Sequence, residues 1–176
     1  VYYCPLMSAQ QPDDLCCCGE PSYEIKGKLL HFQLADIHGY DLKKGYYDIK
    51  LCGGTKENPE HFDYSIFKDL WLTNFTINNL VNFNVVEALS HTKRVENLYI
   101  SKTDYALDDS NVFPNIIKRL EISYCKLNYV PKWLNFMELA ILKLRINVTG
   151  LLDLSLLEIK SLVELNISTY DTNADS

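Results

Sequence analysis

The chain has 176 residues, 47% of them hydrophobic, enough to bury a real core in one domain or in a piece of something larger. Its 23 acidic and 17 basic side chains are spread along the sequence and leave a formal charge of -6, which argues against a nucleic-acid footprint and toward protein partners. No stretch approaches the roughly 18 uninterrupted apolar residues that span a bilayer, and a start at Val1 without a hydrophobic leader is the expected look of a processed N-terminus.

Cys4, Cys16, Cys17, Cys18 and Cys52 crowd the first third, and only Cys125 lies further on. Such clustering, with no histidine at zinc-ligand spacing, favours disulfides in an oxidising compartment over a metal site; no metal and no cofactor is expected. The pairing stays open, since six cysteines allow about 15 connectivities. With Cys125 as a thiol, five remain, and one is free or paired outside the chain. In the same region SYEIKG at 22–27 and YYDIKLC at 46–52 read as strands. A disulfide from the 16–18 cluster to Cys52 would tie them into a hairpin, giving a cysteine-rich cap over residues 1–66 that covers the first turn of the solenoid expected beyond it.

From residue 67 onward the sequence repeats. Aligned on Leu98, Leu120, Leu142 and Leu165, each copy has an apolar residue two later (Ile100, Ile122, Leu144, Ile167) and another three earlier (Val95, Ile117, Leu139, Leu162). A more degenerate copy is expected to open at Leu70, with Leu72, Phe75 and Ile77 behind it. The period and the L-x-x-L-x-L-x-x-N/C-x-L pattern predict a leucine-rich repeat solenoid of about five turns over 67–176. The fold class is therefore an α/β-type horseshoe fragment with a parallel concave sheet, a disulfide-linked N-terminal cap and an open C-terminal end.

In such a turn the opening leucine and the apolar residue two later point inward, and the residue between them faces out. The outward column reads Trp71, Tyr99, Glu121, Lys143 and Asn166, with Arg145 three after its opening leucine and Lys102 and Tyr124 four after theirs. Aromatic and arginine side chains on a rigid sheet are the types enriched in binding hot spots, although tyrosine is also simply a good strand residue. Five after the opening leucine, Cys125 and Asn147 fall at the position where a small polar or thiol side chain turns inward to satisfy the departing loop. Three Asn-x-Ser/Thr sequons start at Asn74, Asn147 and Asn166; about two would arise by chance among 14 asparagines. The register places Asn147 in the buried ladder, Asn74 at a strand's outer edge and Asn166 on the concave face, so sugar is expected at Asn74 or Asn166.

The segments DLCCCGEPSYEI and DIKLCGG, followed by degenerate repeats, resemble the N-terminal cysteine-rich cap and first repeats of insect Toll receptors. The resemblance rests on Cys16 and Cys18, on Ser22–Ile25, on Cys52 and on the early Cys4, over roughly residues 4–130; Cys17 and Lys26-Gly27 depart from it. It implies a cell-surface receptor, membrane-anchored outside this segment. The ectodomain of such a receptor binds a processed Spätzle-type cystine-knot cytokine, dimerises, and signals in innate immunity or development. The alternative is a secreted leucine-rich repeat protein acting as an immune or adhesion scaffold.

An enzyme would need a convergent nucleophile, base and orienting group. His31, His38, His61 and His91 have no nucleophile motif nearby, Asp36 and His38 read as ordinary surface groups, and Gly53-Gly54-Thr55 lacks the lysine and helix of a phosphate loop. Catalysis is not expected. A repeat array left open at one end exposes apolar core, so a homo-oligomer formed through that end is expected.

Overall fold

The computed structural model describes residues 22–25, 28–30, 46–52, 62–80, 83–102, 117–126, 134–135, 137–147 and 154–169. Within these, one sheet contains β1 (Ser22–Ile25), β2 (Lys28–Leu30), β3 (Tyr46–Cys52), β4 (Trp71–Asn78), β5 (Arg94–Ser101), β6 (Arg119–Lys126), β7 (Ile141–Asn147) and β8 (Glu164–Thr169). Their order across the sheet is β2-β1-β3-β4-β5-β6-β7-β8. β1 lies antiparallel to β2 and to β3, with Ser22 opposite Cys52, and from β3 to β8 every pair is parallel. Six parallel strands with little helix between them make a solenoid-like α/β arrangement.

Inward apolar residues set the register. Ile49, Phe75, Leu98, Leu120, Leu142 and Leu165 form one continuous row across the six strands, and Leu51, Ile77, Ile100, Ile122, Leu144 and Ile167 form the row two residues on. Through β7 both rows are buried. A third inward row, Leu72, Val95, Ile117 and Leu139, lies three residues before the first and is also buried. Inward positions three apart cannot lie on a strict two-residue alternation, so the backbone must deviate between them. It does so at Thr73, which is the extra residue where β4 passes the Tyr47/Asp48 step of β3.

This register corrects two expectations. The first full copy opens at Phe75 rather than Leu70: Phe75 pairs with Leu98, while Leu70 precedes β4 and its carbonyl accepts the N–H groups of Lys93 and Arg94 at 2.9 and 3.4 Å. An aromatic ring fills the slot that leucine takes in later turns. In addition, YYDIKLC pairs antiparallel with β1 on one side and parallel with β4 on the other, so the parallel array has a sixth strand inside the segment read as cap.

The only α-helix among the described residues, α1 (Val85–His91), bridges β4 and β5. Asn84 caps it: its side-chain oxygen accepts the Glu87 N–H at 3.0 Å, and its amide reaches back to the Glu87 carboxylate at 3.4 Å. Val85, Ala88 and Leu89, spaced three and four apart, bury one face. Against this face packs the short 3-10 turn Tyr64–Phe67, whose Phe67 stacks on Phe62 (centroids 5.8 Å) and meets Phe75 (5.3 Å). The Tyr64 hydroxyl accepts the Asn84 N–H at 2.7 Å, so a phenol closes the helix entrance.

Burial ends at β8. Val163 is 87% exposed and Leu165 48%, although Leu165 continues the row that is fully buried at Leu142.

Candidate interaction face

The face of the sheet opposite the core carries the side chains between the inward rows. One column runs Lys50, Thr76, Tyr99, Glu121, Lys143 and Asn166 in direct register. The sequence-derived column therefore comes together as Tyr99, Glu121, Lys143 and Asn166. Trp71 does not belong to it: it pairs with Arg94 at the start of the strands, because the copy opens at Phe75, and Thr76 takes the place expected for Trp71.

The column one residue before the inward row holds Asp48, Asn74, Asn97, Arg119, Ile141 and Glu164. Asn74 donates to Asp48 Oδ1 at 3.1 Å, and Asn97 donates both to Asn74 Oδ1 and to the Thr73 carbonyl at 3.0 Å. Asn74 thus sits mid-strand, half-buried and with its amide engaged on both sides, rather than at the strand's outer edge expected from the repeat. Asn166 is exposed on β8.

Aromatic rings and cations meet both within these columns and beside them. Lys93 and Arg94 lie 5.9 and 5.5 Å from the Trp71 ring, and Arg119 lies 5.5 Å from the Tyr99 ring. Tyr124 has both Lys102 at 5.8 Å and Arg145 at 4.6 Å over its ring. Between the rings run ion pairs, Arg94 with Glu96 at 3.4 Å, Arg119 with Glu121 at 3.1 Å and Lys143 with Glu164 at 3.0 Å. The Glu121 hydrogen bond holds the Arg119 guanidinium even more firmly protonated than usual. Half-exposed pairs of this kind add little stability, so their effect is to fix the orientation of the face. Arg94, Arg119 and Lys93 were absent from the sequence-derived set; Arg119 could have been found by its outward parity one residue before Leu120.

The strand ends differ from the ladder expected there. Tyr124 is an extra residue in β6, so Cys125 stands opposite Ile146 and Lys126 opposite Asn147. Cys125 and Asn147 therefore do not share one column, and the reason is the bulge at Tyr124. Cys52 is buried and disulfide-bonded. Cys4, Cys16, Cys17 and Cys18 lie outside the described residues, as do His31, Asp36, His38 and His61. Among the described residues no three His, Cys, Asp or Glu side chains are placed to hold a metal ion, and no helix is long and apolar enough to cross a membrane.

No family model matches the chain, and neither the curated proteins nor the solved structures contain a match to it. The class is thus set by the architecture alone: a solenoid-like parallel sheet with an aromatic and charged outer face.

Proposed function

We propose that the parallel array is a leucine-rich repeat solenoid with a disulfide-linked cap, and that its outer, concave face recognises a protein. In this reading the chain is the ligand-binding portion of a Toll-like cell-surface receptor ectodomain. Its partner is a processed Spätzle-type cystine-knot cytokine, and binding drives receptor dimerisation and innate immune or developmental signalling. The parent receptor is membrane-anchored outside this segment, and the face works by binding rather than catalysis. The observation that carries the reading is the Tyr99, Arg119 and Glu121 cluster beside Tyr124 and Arg145: large, half-buried rings held in register on a sheet, at low entropic cost for a partner to engage. The bonded Cys52 in the strand that joins β1 to the array supports the cap and an oxidising compartment.

The test is binding of the cytokine to the chain by surface plasmon resonance, with Tyr99→Ala/Tyr124→Ala alongside. Saturable binding weakened at least tenfold by the double variant is expected. Absence of binding to a demonstrably folded chain removes the cytokine as partner and favours the secreted scaffold.

A further inference from the structure

Two positions toward the ends of neighbouring strands, the turn after β5 and the bulge inside β6, adopt the left-handed backbone without glycine: Lys102 has φ 51° and Tyr124 has φ 56°. Asn79 does the same one strand earlier, at φ 55°, and asparagine tolerates that region. Lysine and tyrosine have no such tolerance, and strained backbone of this kind concentrates where a side chain must be aimed. Lys102 is locked by its N–H donating to the Ser123 carbonyl at 3.0 Å, and Tyr124 by the bulge between Ser123 and Cys125.

The side chains that these two positions deliver meet a third. Lys102 and Arg145, both exposed, stand over one ring, that of Tyr124. Arg94, Arg119 and Lys143 on the same face each have a carboxylate within 4 Å, but no described carboxylate pairs with Lys102 or Arg145. A chain with net charge -6 therefore concentrates at one aromatic platform two cations that no described carboxylate pairs with. Exposure along this end of the face favours the same place: Cys52 and Asn78 are buried, Ser101 and Ser123 half-buried, and Arg145 exposed.

We propose that Lys102, Tyr124 and Arg145 form a clamp for an acidic segment of the partner protein. Carboxylates of neighbouring Asp or Glu residues are taken by the Lys102 ammonium and the Arg145 guanidinium, which the Tyr124 ring holds in place. The inference rests on the reading of this face as a protein-recognition surface.

The probe is a fluorescein-labelled peptide of alternating Glu and Tyr, compared by anisotropy with the same peptide carrying Gln for Glu. Saturable binding of the Glu peptide is expected, falling with added salt. It should weaken at least tenfold in Lys102→Gln and in Arg145→Gln and stay unchanged in Lys68→Gln, a change at an exposed lysine beside the 3-10 turn and off this face, with urea midpoints confirming that each variant folds. Equal binding of the two peptides, no saturation below about 1 mM, or indifference to Lys102→Gln and Arg145→Gln overturns the clamp. A sulfated oligosaccharide that binds at these residues where the Glu peptide does not also overturns it, by assigning the site to a glycan. Cytokine binding distinguishes the two proposals. If it survives Lys102→Gln/Arg145→Gln but not Tyr99→Ala, the clamp fails and the face stands; if the peptide tracks both cations while the cytokine does not bind, the clamp stands and the cytokine falls.

Discussion

Asn97 donates its side-chain amide to the main-chain carbonyl of Thr73 across the β4/β5 step at 3.0 Å. Thr73 is the residue by which β4 outgrows β3, and it has no partner position in the register with β3 or with β5. A side chain one strand away thus completes the main-chain bonding of an irregular turn and, through Asn74, links to Asp48.

Asn97→Ala should therefore cost more than an ordinary surface change, about 1–3 kcal/mol, because it strands a half-buried carbonyl. Urea denaturation measures it. An unchanged midpoint would mean that water replaces the amide at no loss.

The inward row makes a graded prediction. Leu120 is fully buried between neighbours on both sides, whereas Leu165 in the same row is 48% exposed. Leu120→Ala should destabilise by about 2–5 kcal/mol and Leu165→Ala by about 1 kcal/mol or less. Equal costs in calorimetry would contradict the row as drawn.

At Asn79 the left-handed turn gives a test of backbone rather than contact. Its N–H donates to the Ser101 carbonyl at 2.9 Å from φ 55°, the same bond that Lys102 makes to Ser123. Asn79→Gly should stay within about 1 kcal/mol, and Asn79→Val should lose about 1–2 kcal/mol from the steric conflict. Should valine be tolerated as well as glycine in a thermal melt, the turn is not left-handed in solution.

Constant spacing made Leu98, Leu120, Leu142 and Leu165 legible in the sequence, together with the outward parity of Tyr99, Glu121 and Lys143. The opening of the earlier copy was not legible, because Leu70 and Leu72 imitate the leucine pattern while the ring of Phe75 occupies the slot. Nor was the bulge at Tyr124, since hydrophobic periodicity does not encode an inserted residue and tyrosine is no marker of a positive φ. Cross-strand pairing of the outward residues joins neighbours 21 to 26 residues apart, as with Asn97 and Thr73, and so emerges only once the register is known.

The exposed end at β8 predicts self-association. Val163 and Leu165 leave apolar surface beside a strand that pairs only with β7 among the described residues. Light scattering should show mass growing with concentration, and Val163→Asp/Leu165→Asp should abolish the growth. A native chain that stays monomeric at high concentration removes this surface as a homo-oligomer contact.

Tyr64 supplies the pH dependence. Burial of its phenol raises its pKa above the ordinary 10.0, opposed by the hydrogen bond from Asn84 N–H and reinforced by the Glu87 carboxylate. The folded state therefore holds the phenolic proton more tightly than the unfolded chain does. Between the unfolded pKa near 10.0 and the higher folded value the native state binds more protons, so stability falls as pH rises through that window. Below it the contribution of Tyr64 is fully present. Other tyrosines and lysines titrate in the same range, so the informative quantity is the difference between the native chain and Tyr64→Phe. At pH 7 the variant should be less stable by about 1–2 kcal/mol, having lost the acceptor for the Asn84 N–H. Above pH 10 its stability should fall less steeply, and the two urea midpoints should converge. Parallel pH profiles would show that the hydroxyl titrates alike in the folded and unfolded chains, and equal stability at pH 7 would show that the bond from the Asn84 N–H to the Tyr64 hydroxyl does not hold the helix entrance.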